Sequence, residues 1–84
     1  MEELLKYVVT SLVDKKDEVE ITYTPEGEKV VIVRIIADKA DMGKLIGRNG
    51  KVASAIRTLV KSVTLKSNKR YIVKIEERKE EKDA

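Results

Sequence analysis

Two glycines separated by only Arg48 and Asn49 interrupt an otherwise helix-compatible run, Asp41-Met-Gly-Lys-Leu-Ile-Gly-Arg-Asn-Gly-Lys51, and no other stretch restricts the chain as much. Gly47 is read as the left-handed stop after a short helix ending at Ile46, and Gly50 as a second turn before a long helix that starts near Lys51. A connection this short leaves backbone N–H groups without intrahelical partners and aims the positive dipole end of the second helix into the gap. Lys44, Arg48 and Lys51 ring it, so the loop has the parts of a phosphate site. Arg48 and Asn49 fill the two variable positions, with their side chains towards solvent and the backbone demands left to the glycines. Other glycine motifs fail on spacing: there is no Gly-x-Gly-x-x-Gly, and the position five after Gly43 is Arg48, which rules out a Walker A loop.

Ile46-Gly-Arg-Asn-Gly-Lys51, followed by Val52, Ile56, Leu59 and Val60, resembles the Ile-Gly-x-x-Gly signature of the KH family of single-strand RNA and DNA binders. The resemblance implies a loop that clamps the nucleic-acid backbone against an apolar groove. It points to Lys44, Ile46, Gly47, Arg48, Asn49, Gly50, Lys51, Ser54 and Arg57 as the RNA-binding residues. Loop N–H groups would hold phosphates, Arg48 and Lys51 would add charge, and Ile46 with nearby aliphatics would support about four splayed bases.

The rest of the chain is read around that loop. Leu4, Leu5, Val8, Val9 and Leu12 recur at helical spacing, with Glu2 and Glu3 at the start and Lys15 and Lys16 at the finish. Glu18 to Thr24 alternates, which predicts a half-buried strand with Val19, Ile21 and Tyr23 inward. Pro25-Glu-Gly-Glu28 predicts a turn. Val30 to Ile36 is nearly continuous in β-branched residues, as in a central strand; its alternation sends Val31, Val33 and Ile35 to the core and Arg34 to solvent. Asp38 and Asp41 are both candidate N-caps of the short helix before the loop. After the loop, Val52, Ile56, Leu59, Val60 and Val63 form one stripe, leaving Arg57 and Lys61 to extend a phosphate track or to line a solvated face. Ser67 to Arg70 is a polar turn before a last strand, Tyr71 to Ile75. The domain is set at residues 1–76, and 77–84 is a charged, solvated tail.

At 84 residues the chain has room for one core. Phe and Trp are absent and only three Tyr occur, so the core is aliphatic, and with no ring near the loop a single copy should bind RNA weakly and with little sequence preference. Net charge is +3, yet from residue 39 to 70 there are nine basic positions (39, 44, 48, 51, 57, 61, 66, 69 and 70) against one acid, Asp41. Cysteine and histidine are both missing, which removes disulfides, the usual metal ligands and the commonest catalytic base; no enzyme constellation and no cofactor are expected. No apolar run reaches membrane-helix length and the start lacks the basic residues of a signal peptide, so a cytoplasmic protein is expected.

The resulting order, α-β-β-α-α-β, with an antiparallel hairpin and then a helical crossover to a parallel strand, gives an α+β fold: a mixed three-stranded sheet with its helices on one face. This is similar to the type II, or prokaryotic, KH fold, and the size and loop resemble the small bacterial KhpA-type (YlqC-type) RNA-binding group. That resemblance implies a role in regulating or chaperoning RNA, and association as a homodimer or with a larger KH protein of the KhpB (Jag) type. The competing expectation is a KH-fold protein–protein module with a vestigial nucleic-acid site.

Overall fold

A computed structural model describes residues 2–78. Helix α1 spans Glu2–Leu12, strand β1 Glu20–Glu26, strand β2 Val30–Ala37, helix α2 Met42–Ile46, helix α3 Lys51–Val63 and strand β3 Arg70–Glu77. The sheet order is β1-β2-β3, with β1 antiparallel and β3 parallel to the central β2. This is the α+β architecture of a type II KH fold. Alternation along β2 buries Val31, Val33, Ile35 and Ala37 against Leu5 and Val9 of α1, Leu45 of α2, and Ile56 and Val60 of α3. Tyr71, Val73 and Ile75 of β3 join the same layer. On the opposite, helix-free face Ile32 is also buried, flanked by Thr24 and Ile72, while Arg34 is exposed and lies 3.7 Å from Glu76.

Several boundaries differ from the sequence reading. Strand β1 runs through Pro25 and Glu26. As an edge strand it can direct a proline's missing donor away from its partner, so the turn contracts to Gly27–Lys29, where Gly27 takes φ 79°. Lys15 and Lys16 lie beyond the last turn of α1, which contains no basic residue, so they do not offset its dipole. Strand β3 continues through Glu77, and Arg78 donates its N–H to the Ala37 carbonyl at 2.7 Å, so the fold extends past the expected boundary at 76. The rest of the expected tail, 79–84, lies outside the described residues.

The largest correction concerns Asp41. Asp38 does cap, accepting the Ala40 N–H at 2.9 Å at the start of a short 3-10 turn. Asp41 makes no cap bond to α2. The residue is 1% exposed, and its carboxylate instead accepts the backbone N–H groups of Asp14 at 3.1 Å and Lys15 at 3.0 Å, just beyond the end of α1. The side chain thereby ties the C-terminal end of α1 to the start of α2. Burial pushes the Asp41 carboxyl up, but the two N–H donors, followed by the charges of Lys44 and Lys15, outweigh it and hold the group below its ordinary value.

A carboxylate with a depressed folded-state pKa adds stability that is fully present above its unfolded value, about 3.9, and is lost as pH falls through the lower folded value. Asp41→Asn keeps one acceptor but turns an amide donor towards two N–H groups. We expect it to melt several degrees below the parent at pH 7, with the gap closing as pH falls below about 4. Thermal melts of both proteins across that range check this; a gap that stays constant down to pH 2 would contradict the assignment.

Candidate nucleic-acid interface

The loop between α2 and α3 is built by unusual backbone conformations at three of its four residues. Gly47 has φ 72° and ψ 179°, a region open essentially to glycine alone. Asn49, at φ 54° and ψ 28°, and Gly50, at φ 74° and ψ 16°, are both left-handed. The glycines therefore do not carry the backbone demand alone; Asn49 shares it, and asparagine is among the side-chain-bearing residues that tolerate that conformation best. Nor is Gly47 a left-handed helix stop. Its extended ψ turns the chain sharply enough that a Cβ placed there would lie 2.9 Å from the Val52 backbone nitrogen. Gly50 has open space around it, so only its φ restricts the residue.

The N–H of Gly47 closes α2 by donating to Gly43 at 2.9 Å, and the N–H of Gly50 donates to Gly47 at 3.3 Å. Arg48 and Asn49 open the intervening 3-10 turn, so their N–H groups have no carbonyl within it. Both side chains are exposed, and Ile46, 41% exposed, presents an aliphatic surface directly beside Gly47. Lys44 is differently placed from the expectation of a free cation at the rim. Its ammonium is ion-paired with Asp14 and stands 3.8 Å from Asp41. The hydrogen bond to Asp14, against partial desolvation and with the Asp14 and Asp41 charges adding to it, raises the Lys44 pKa, so this side chain stays protonated.

Helix α3 has three functional sides. Ala53, Ile56 and Val60 enter the core, which moves the buried stripe away from Val63, 45% exposed at the helix end. One flank carries Ser54, Arg57 and Lys61, all exposed. Arg57 and Lys61 open onto a cavity of about 420 Å³ closed by the α3–β3 connection and the start of β3, where Lys69, Arg70, Leu65 and Tyr71 complete the wall. The other flank, with Val52, Ala55 and Leu59, faces Val8 and Leu12 of α1 across a second space of about 420 Å³, which is almost wholly apolar. Lys51 lines this second space and so stands apart from Arg57. The structure thus joins Ile46 to the Gly47–Gly50 loop, turns Lys51 to the apolar groove, and sets Ser54 and Arg57 on the exposed cationic flank of α3.

Lys69, Arg70 and Tyr71 are members of the cavity that local sequence patterns do not place there. The available signal was topological. A parallel crossover returns β3 to the end of the sheet where α3 finishes, which puts the turn cations opposite Lys61. Among the described residues no cluster of side chains is suited to hold a metal ion, and no helix is long and apolar enough to cross a membrane.

Comparison with known proteins gives the chain its relatives. The family described as KhpA/KhpB, KH domain, matches residues 2–75. The chain is 45% identical over 73 residues to an RNA-binding protein KhpA of Borreliella burgdorferi, covering 87% of this chain and 88% of that one. It is 43% identical over 75 residues to an RNA-binding protein KhpA of Clostridium acetobutylicum, covering 89% and 99%. A third relative of that name, from Caldanaerobacter subterraneus subsp. tengcongensis, is 45% identical over 75 residues with the same coverage, 89% and 99%. No solved structure matches the chain.

The unequal roles of the two glycines are measurable. Gly47→Ala meets both a glycine-only backbone region and the Val52 nitrogen, and should cost roughly 3 kcal/mol or more. Gly50→Ala meets only a left-handed φ and should cost about 1–2 kcal/mol. Urea unfolding gives both values, and equal costs would contradict the Gly47–Val52 contact.

Proposed function

The chain belongs to the KhpA/KhpB family of KH domains, and from that premise we propose that it is a non-enzymatic, cytoplasmic binder of single-stranded RNA that acts as a regulator or chaperone in RNA metabolism. The observation carrying this reading is a cation cluster on the helix that follows the loop: Arg57 and Lys61 of α3 share one cavity with Lys69 and Arg70. The proposed path starts at the Gly47–Gly50 loop with Arg48 and runs past Ser54 to that cavity. The N–H groups of Arg48 and Asn49, which have no backbone partner among the described residues, take phosphate oxygens, and the track takes the phosphates that follow. Ile46 gives the first bases an apolar support. Tyr71 and Leu65 give the far cavity a partly apolar wall, the only aromatic contribution within this site. With most bases lacking a ring to stack on, affinity is modest and sequence preference slight.

Association compensates for a small single site. The groove between α1 and α3 is apolar, and its line extends by one helical turn to Leu4, 42% exposed, and to Val63. We assign it to pairing with a second copy or with a larger KH protein of the KhpB (Jag) type. The same groove is the specific support for the second reading, a protein–protein module whose loop binds nothing.

One set of variants separates these readings. Arg48→Asp with Asn49→Asp should fold, since aspartate also tolerates the conformation of Asn49, and RNA affinity should collapse. Leu59→Asp should lower the sedimentation-derived mass and leave a monomer that still binds RNA, more weakly. In the parent, log affinity for an oligouridylate should fall against log salt with a slope of roughly −2 to −3.5, as three to five neutralised phosphates require. A slope near zero, or full binding by the double aspartate variant, would support the second reading.

A further inference from the structure

An ion-pair cluster lies where α2, the helix that leads into the loop read above as a phosphate clamp, meets the end of α1. Asp14, Asp38 and Asp41 surround Lys15 and Lys44, three anions to two cations. These anions are not equivalent. Asp41 is buried and its two oxygens are engaged by backbone N–H groups, while Lys15 lies 3.6 Å from Asp38. The Asp14 side chain is 82% exposed, and Lys44 is its ion-pair partner among the described residues. The fold uses the backbone N–H of Asp14 to bind Asp41 and does not require its carboxylate. An exposed pair of this kind is weak, so a phosphate can displace it.

Lys44 lies on α2 three residues before Gly47, and its flexible stem can swing between the α1 end and the loop. We propose that Asp14 is a built-in competitor for the RNA phosphate: it holds the Lys44 ammonium in the free protein, and RNA bound at the loop takes that ammonium from it. This inference rests on the loop reading above and assigns the loop a self-limiting affinity. It also fixes the ion balance. When Lys44 leaves Asp14 for a phosphate, the counterion released by RNA is offset by one taken up at Asp14, so Lys44 adds little to the salt slope of the parent.

The test is a double-mutant cycle on the full chain with a labelled single-stranded oligouridylate. Asp14→Asn keeps the N–H that Asp41 accepts, so its thermal melt should match the parent. It should bind roughly two- to fivefold tighter, the range that a surface ion pair allows, with a salt slope steeper by about 0.7, the value for one more phosphate on a single strand. Both changes should vanish when Asp14→Asn is made in a Lys44→Met background. An unchanged affinity in Asp14→Asn, or a gain of the same size with Lys44→Met, would overturn the competitor role; if binding still depended on Arg48 and Asn49, the loop reading would survive. RNA binding that withstands Arg48→Asp with Asn49→Asp would overturn both together.

Discussion

The close approach of Gly47 to Val52 is the constraint on which the rest of the interface depends. Because no Cβ intervenes, the first turn of α3 packs directly over the end of α2, and the two helices meet without a longer linker. That fixes where α3 starts, and its heading follows from burying Ala53, Ile56 and Val60 against the sheet. Once the axis is fixed, the helical repeat assigns the flanks: the cationic side chains turn towards the start of β3, and the apolar ones towards α1. A single tight contact therefore sets both the cationic flank proposed to take RNA and the apolar flank proposed to take a partner.

Asp41 does the corresponding work on the other side of α2. A helix of five residues cannot hold its own orientation by hydrogen bonding alone. Leu45 anchors it in the core, and the buried Asp41 carboxylate clamps its start to the end of α1. The polar groups that this buries are all satisfied, which a core position demands. The same cluster brings Lys44 and Asp14 together, so the scaffold of the loop and the charge beside it are connected through one residue.

Much of this was legible in the sequence because it is periodic or local. The alternation in β2 gave its inner face residue by residue, and the paired glycines located the loop and both helix ends that border it. Non-local features were hidden. Asp41 looks like a helix cap because its true partners, Asp14 and Lys15, are 27 and 26 positions away and are backbone groups, which leave no mark in side-chain pattern. Asn49 at positive φ was masked by flanking glycines that seemed to account for every unusual angle. Pro25 argued for a turn until the strand proved to be an edge, where its missing donor has no cost. The four-cation cavity needed the three-dimensional return of β3 to the end of α3, because Arg57 and Arg70 share no repeat that a single strand or helix would show.

The central claim is that RNA follows the loop and the cationic flank of α3. Amide chemical-shift mapping during titration with a single-stranded oligouridylate tests it most directly. The account predicts perturbations at residues 46–51, continuing through Ser54, Arg57 and Lys61 to Lys69 and Arg70, with Thr22, Arg34 and Lys74 on the helix-free sheet face unmoved. Perturbations confined to that open face, or to the α1–α3 groove, with the amides of Arg48 and Asn49 unchanged, would contradict it.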